Sequence, residues 1–314
     1  MAQPPLDDKL TLDKKYRPPD LKHVYGNTDT VAAIEAAINR DQAFPASVLL
    51  RGPSGCGKTT LARIIGGLLG AVDRDLKQYN IANMRGIDTA RTICELTNIR
   101  PWGACRVIIL NECHKATIDF WNTMLEVLEE PPPDNHFILC TTEPEKVINT
   151  VRTRCTDYVV ELLLPTEMQD LLGYVADAEQ ATIEDSVISE LTKAANGSPR
   201  NALVMLDAVI DLGSVEAQLG VIGSYRASED TVAELCQALL SKSKWQPIAA
   251  QIRRLDRQDA ESLRYTILAY YEKILLGGGD SADRANLIMD HFATPIGGMG
   301  RPGLTQACYN ALHV

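Results

Sequence analysis

The apolar positions of this chain fall first into short continuous runs and then into a helical rhythm. "ASVLLRG" (Ala46 to Gly52), "RVIIL" (Arg106 to Leu110) and "HFILCTTE" (His136 to Glu143) are compact apolar stretches of strand length. Such runs suit strands covered on both faces. A further strand is expected around Gln78 to Ile81. Between them the apolar spacing changes to three and four. Val31 to Ile38 reads as a helix, and "KTTLARIIGGLLG" carries Leu61, Ile64, Ile65, Leu68 and Leu69 at helical spacing. "GIDTARTICELTNI" is amphipathic, with Asp88 suited to its first turn. "ATIDFWNTMLEVLEE" is helical until Pro131, Pro132 and Pro133 end it. Strand alternating with helix predicts an α/β fold: a parallel sheet with helices on both faces.

After about Pro165 the strands are expected to stop. "TEMQDLLGYVADAE", "EDSVISELTKAAN" and "SPRNALVMLDAVIDL" read as three helices, with Gly197 a stop between the last two. From about Tyr225 the pattern is helical again, through "SEDTVAELCQALLS", "WQPIAAQIRRL" and "AESLRYTILAYYEKIL", until Gly277 to Gly279 interrupts it before the final helices. At 314 residues the chain is too long for one ordinary core. The expected division is an α/β domain over 1–163, a small helical domain over 164–222 and an all-α domain over 223–314.

Composition narrows the class. With 45% hydrophobic and 23% charged residues the chain reads as a soluble globular protein. No apolar run has the length of a membrane span, and the start, "MAQPPLDDKL", lacks the apolar core of an export signal. A net charge of −10 argues against a uniformly basic nucleic-acid surface but allows a local basic strip. The eight cysteines form no C-x-x-C pair, so they read as reduced thiols, several of them buried, rather than zinc ligands.

The chemistry starts at "GPSGCGKT", which fits G-x-x-x-x-G-K-[ST] between an apolar strand and a helix. Gly52, Pro53, Ser54, Gly55, Cys56 and Gly57 form the loop whose backbone N–H groups would converge on phosphate oxygens, at the positive end of the helix that Lys58, Thr59 and Thr60 open. Lys58 would reach the β and γ phosphates of ATP, and the Thr59 hydroxyl would ligate Mg²⁺. Some fifty residues on, "VIILNE" ends a buried strand on Asn111 and Glu112. The first polar position in such a strand serves the metal, here Asn111 in place of a carboxylate. The second, Glu112, orients and polarises the attacking water. Thr141 and Thr142 end the neighbouring strand, where one hydroxyl could hold the same water.

Together these residues resemble the clamp-loader branch of the AAA+ ATPases, the bacterial gamma/tau-type subunit and the small subunits of replication factor C. "KKYRPPDLKHVYGN", "GPSGCGKTTLARII", the stretch from "VIILNECHK" to "TRC", and "GSPRNAL" follow that family's motifs in order over about Leu12 to Asp211. The resemblance implies an AAA+ domain, a helical lid and a helical collar. It implies that Tyr16, Arg17 and Pro18 lie by the adenine. Arg154 of "TRC" would be an arginine finger acting on ATP held by the neighbouring subunit, and Arg200 a lid sensor for the subunit's own γ-phosphate. "NMRGIDTAR" is similar to the family's DNA-facing segment, so Arg85, Gly86 and Arg91 would hold phosphates. The bland alternatives are an ion pair within the chain for Arg154 and a solvated helix face for Arg85 and Arg91.

Two departures stand out. Asn111 replaces the usual aspartate, and the zinc module of the gamma/tau type is missing between Thr60 and Arg106. The implied activity is Mg²⁺-dependent ATP hydrolysis that opens a sliding clamp and loads it on primer–template DNA. The implied partners are other clamp-loader subunits in a homo- or hetero-oligomer of pentameric type, the clamp, primer–template DNA and the DNA polymerase holoenzyme, with no membrane. The setting would be the cytoplasm of a bacterial or phage-infected cell. An ATP-binding subunit that does not hydrolyse, or another AAA+ DNA motor such as a Holliday-junction translocase, are the competing readings.

Overall fold

A computed structural model describes residues 10–40, 44–255, 260–279, 281–296 and 299–313. The opening segment judged to lack an export signal lies almost wholly outside the described residues. The elements run α1 (Leu12–Lys15), α2 (Thr28–Ile38), β1 (Ser47–Arg51), α3 (Lys58–Leu68), β2 (Leu76–Asn80), α4 (Ile87–Thr97), β3 (Arg106–Asn111), α5 (Ile118–Glu129), β4 (Asn135–Thr141), α6 (Asn149–Arg152) and β5 (Thr156–Val159). Helices α7 (Pro165–Ala178), α8 (Asp185–Ala194), α9 (Pro199–Val209), α10 (Val215–Leu240), α11 (Trp245–Arg254), α12 (Ala260–Gly277), α13 (Ala282–Phe292) and α14 (Gly300–Leu312) follow.

The five strands form one parallel sheet in the order β2-β3-β4-β1-β5. The central strands are buried on both faces, and their side chains alternate between two cores. Val48 and Leu50, Val107 and Ile109, and Ile138 and Cys140 join Leu61 and Ile65 of α3 on one face. Leu49, Ile108 and Leu110, and Phe137 and Leu139 join Ile93 of α4 and Phe120, Trp121 and Met124 of α5 on the other. This two-sided burial is why the three strands read as unbroken apolar runs. The same alternation carries Asn111, in step with Val107 and Ile109, toward α3.

The chain leaves β3 sharply. Glu112 adopts the left-handed region, φ 52° and ψ 41°, before a 3-10 turn over Cys113–Lys115. For a residue with a side chain that conformation costs about 1–2 kcal/mol. It holds here because Cys113 and His114, which follow the bend, are buried.

Strand β5 was not anticipated. Its four residues are mostly exposed and it pairs only with β1 at the edge of the sheet, so it lacks the apolar run of a covered strand. Helix α10 starts ten residues before the expected Tyr225 and runs through residue 222 without a break. By internal contacts the chain divides into two units, Met1–Gln218 and Leu219–Val314.

In the first unit, α7–α9 bury Met168, Leu172, Val175, Leu191 and Leu206. The backbone N–H of Leu12 donates to Asp207 Oδ1 at 3.4 Å, tying α1 to α9. The second unit has its own core, built by Leu235 and Leu239, Ile248, Ile267 and Tyr271, Ile288 and Phe292, and Leu304 and Cys308. The buried Tyr271 hydroxyl donates to Cys236 O at 2.7 Å, so its one polar atom is satisfied.

Candidate nucleotide site

The loop between β1 and α3 gathers the sequence-predicted residues at the carboxyl end of the sheet, where open parallel sheets place ligands. Gly52 leaves β1 with its N–H donating to Thr141 O at 3.2 Å, and a Cβ there would lie 1.9 Å from Val160 O. Gly55 and Gly57 take positive φ, 76° and 105°, which glycine adopts without steric cost. Lys58 is buried, and its Nζ donates to Gly52 O at 2.7 Å and Pro53 O at 2.5 Å. The ammonium thus rests on carbonyls of its own loop, held within the cradle that phosphates would fill.

Thr59 and Asn111 meet directly: the Thr59 hydroxyl donates to Asn111 Oδ1 at 2.7 Å. Two oxygen donors therefore converge between the start of α3 and the end of β3, a donor type that suits Mg²⁺. Glu112 stands beside them, with Oε2 3.6 Å from the buried His114 Nε2. Thr141 is fully buried and bonds to His114, whereas Thr142, one residue past β4, is half-buried. Thr142 is in step with Ile138 and Cys140, which face α3, so the alternation favours it over Thr141 for the phosphate-loop side.

A cleft next to the loop is lined by Tyr16, Arg17 and Pro18, by Gly55, Gly57 and Thr60, and by Arg200 of α9. Residues from the chain's beginning, the phosphate loop and the third helical segment therefore share one surface. Ser198 caps α9 by accepting from the Asn201 N–H, and a Cβ on Gly55 would lie 2.3 Å from its hydroxyl. The start of α9 thus packs on the loop and brings Arg200 there. Burial, and then the charges of Arg63 and Arg200, hold the Arg17 guanidinium below its usual value. Like charges gathered around a cleft favour a polyanion inside it.

Tyr16 is buried, its hydroxyl donates to Glu179 Oε1, and Lys15 Nζ pairs with the same carboxylate at 2.8 Å. Burial, and then that carboxylate, push the Tyr16 phenol up. Arg63, Glu179, Ser198 and His114 were not singled out from the sequence. Three of them lie inside the quoted motifs, but their roles come from contacts between distant segments.

Arg154 lies elsewhere. Register pairs Val48 with Thr156, so Arg154 precedes β5 at the amino end of the sheet. The phosphate loop starts after Arg51, at the opposite end, about 13 Å or more away by strand rise. Arg154 Nη2 bonds Glu129 Oε1 at 2.8 Å and Nη1 donates to Thr150 O at 2.6 Å. That is the ion pair held open as the bland alternative. It leaves 27% of the arginine side chain and 58% of the glutamate exposed, and such pairs contribute only about 0.2–1 kcal/mol. The guanidinium is therefore cheap to release to a stronger anion.

Arg85 is exposed, and its carbonyl accepts from the Thr117 N–H at 3.1 Å and hydroxyl at 3.0 Å. Thr117 also caps α5, so the starts of α4 and α5 are fastened side by side. Gly86 is the N-cap of α4, where the first-turn amides have no partner within the helix. Arg91 pairs loosely with Asp88 at 3.5 Å, both exposed.

A phosphate loop, a two-sided parallel sheet and a helical segment bearing an arginine define a nucleotide-binding fold of the AAA+ type. Structures of Thermotoga maritima RuvB share it. One described as a Holliday junction branch migration motor has a TM-score of 0.55 at 22% identity, over 66% of this chain and 72% of that chain. A point mutant of the same protein has a TM-score of 0.58 at 21% identity, over 72% and 79%.

Sequence relatives are more specific. The chain is 31% identical over 225 residues to DNA polymerase III subunit gamma/tau of Mycobacterium tuberculosis, 64% of this chain and 39% of that protein. It is 26% identical over 292 residues to DNA polymerase III subunit tau of Bacillus subtilis, 84% of this chain and 51% of that protein. The family described as "DNA polymerase III, delta subunit" matches residues 74–163, and "Magnesium chelatase, subunit ChlI" matches residues 20–111. The chain is thus similar in sequence to gamma/tau and tau subunits of DNA polymerase III, and it spans about two fifths to half the length of these curated relatives.

Proposed function

We propose that this chain is an ATPase subunit of a DNA sliding-clamp loader, which uses ATP binding and hydrolysis to open a ring-shaped clamp and load it on primer–template DNA. The observation that carries the reading is the cleft where Arg17, the phosphate loop and Arg200 meet. Lys58 exchanges its loop carbonyls for the β and γ phosphates, and the backbone N–H groups of Gly55 to Thr59 hold their oxygens. Tyr16, Arg17 and Pro18 flank the adenine, and Arg200 reports the γ-phosphate to the lid. Thr59 and Asn111 would hold Mg²⁺, which when bound neutralises phosphate charge. Glu112 accepts hydrogen bonds from the attacking water and directs its lone pair at the γ-phosphorus. Thr142 fixes the same water from the end of β4.

Arg154, at the far end of the sheet, serves the ATP of a neighbouring subunit, and its weak pair with Glu129 holds it until that neighbour docks. The starts of α4 and α5, with Arg85, Gly86 and Arg91, face the DNA phosphates. In this reading residues 1–163 form the ATPase domain, 164–222 the lid and 223–314 the collar that joins subunits, with the clamp and polymerase as further partners.

Titration calorimetry with ATP tests the cleft. Lys58→Ala removes a charge-assisted contact of about 1.5–3 kcal/mol and should weaken binding about 10- to 150-fold. Equal affinity in both proteins would put the nucleotide elsewhere.

A further inference from the structure

His114 is a titratable side chain buried beside Glu112 and has no place in the mechanism above. Its side chain is 1% exposed. Nδ1 lies 3.0 Å from Thr141 Oγ1, and that oxygen already accepts the Glu143 N–H at 3.0 Å. The tautomer is set on the other side of the ring: ionised carboxylates accept and cannot donate, so the nitrogen that faces them, Nε2, carries the proton and Nδ1 accepts from the Thr141 hydroxyl. Nε2 faces two carboxylates, Glu143 Oε1 at 3.0 Å and Glu112 Oε2 at 3.6 Å. The first is within hydrogen-bond distance and the second lies just beyond it.

Glu143 has other cations, Lys146 in close contact and Lys115 at 3.9 Å. Against the burial that would raise it, Lys146 and then His114 hold the Glu143 carboxyl below its usual value. Glu143 therefore stays charge-compensated when the ring proton turns away from it. Glu112 is 41% exposed at its side chain, so its carboxylate has room to move the short distance to Nε2.

We propose that His114 is a positioning residue for ATP hydrolysis: its neutral ring, anchored by Thr141, offers one N–H between Glu143 and Glu112 and so sets where Glu112 points. The proposal rests on Glu112 being the residue that polarises water. The groups facing the ring are Glu112, Glu143, Lys115 and Lys146, together with the Thr141 hydroxyl. Burial outweighs the two carboxylates and holds the imidazole below its usual value, so the ring is neutral at neutral pH. A second proton, on Nδ1, would displace the Thr141 hydroxyl hydrogen. It would also lock Glu112 in an ion pair, which lowers its power to polarise water. Turnover is therefore full above the folded-state pKa of His114 and declines as pH falls through it, below the ordinary imidazole range.

Steady-state ATP turnover between about pH 5 and 9 compares the natural protein with His114→Gln and His114→Ala. Glutamine keeps an N–H donor and does not titrate. It should lose the acid limb while keeping most of the alkaline kcat. Alanine should lose the limb and about tenfold or more of kcat, with KM for ATP within about twofold. Imidazole nitrogen NMR, which needs no turnover, should find the neutral proton on Nε2. Glu112→Gln should move the His114 titration downward, because a neighbouring negative charge is gone. An unchanged acid limb in the glutamine protein, equal kcat for both variants, or a titration indifferent to Glu112→Gln would overturn the proposal. If the natural protein turns over no ATP, the ATPase reading fails by itself, and the NMR titration alone decides the coupling of His114 to Glu112.

Discussion

Asn111→Asp adds one negative charge where Thr59 and residue 111 already touch, 2.7 Å between oxygens. At the proposed metal site the carboxamide would offer Mg²⁺ and its water shell a neutral acceptor. A carboxylate offers a charged one, and hydrogen bonds to charged groups contribute about 1.5–3 kcal/mol against about 1 for neutral pairs. The difference, about 0.5–2 kcal/mol, corresponds to a shift of about 2- to 30-fold in the half-saturating metal concentration. On the proposed function, two features should keep the asparagine protein active. The Thr59 hydroxyl and the nucleotide phosphates remain as ligands, and Mg²⁺ commonly keeps several of its waters. Glu112, the residue assigned to the attacking water, is intact. The assay is a Mg²⁺ titration of ATP turnover with DNA and clamp present, for the natural protein and Asn111→Asp. The expected result is turnover in both, with the aspartate curve moved to lower Mg²⁺ by about tenfold and a similar plateau. No turnover at any Mg²⁺ in the asparagine protein, with clear turnover in the aspartate protein, would refute the reasoning and make the chain a binding-only subunit.

Three further outcomes follow from the geometry. Gly52→Ala drives a Cβ to 1.9 Å from Val160 O, a backbone atom that cannot swing aside, and should lower stability by about 1–3 kcal/mol in urea unfolding. An unchanged midpoint would mean the loop sits farther from β5. Replacing Arg85 and Arg91 with alanine should reduce the slope of log DNA affinity against log salt by about 2, whatever the DNA sequence; an unaltered slope leaves them as a solvated helix face. Arg154→Ala and Glu112→Gln should each be nearly inactive alone with ATP binding kept. Mixed in equal amounts, random pairing makes about one interface in four carry both intact groups, so about a quarter of natural turnover should return. No gain on mixing would place Arg154 outside any shared site.

What the sequence disclosed followed from how local each feature is. The phosphate loop occupies consecutive residues, Gly52 to Thr60, between a buried strand and a helix, and β1, β3 and β4 announced themselves because both of their faces are covered. Strand β5 did not, since four mostly exposed residues at a sheet edge carry no apolar run. The bond from Tyr16 to Glu179 joins positions 163 apart in sequence, and the Arg154–Glu129 pair joins positions 25 apart. Neither leaves a periodic trace. His114 follows Glu112 closely in sequence. Its partners Thr141 and Glu143 come from the end of a different strand, so its link to Glu112 is visible only once β3 and β4 lie side by side.

The central claim is that ATP turnover by this chain is coupled to clamp loading. Its most direct test is the ATPase rate of the assembled protein with primer–template DNA, with the ring clamp of its own replication system, with both, and with a four-way DNA junction. Coupled clamp loading predicts the highest rate with primer–template DNA and clamp together, and loss of that rise with Lys58→Ala. A rate indifferent to the clamp, or raised equally by the junction alone, would contradict it and identify a different AAA+ DNA motor.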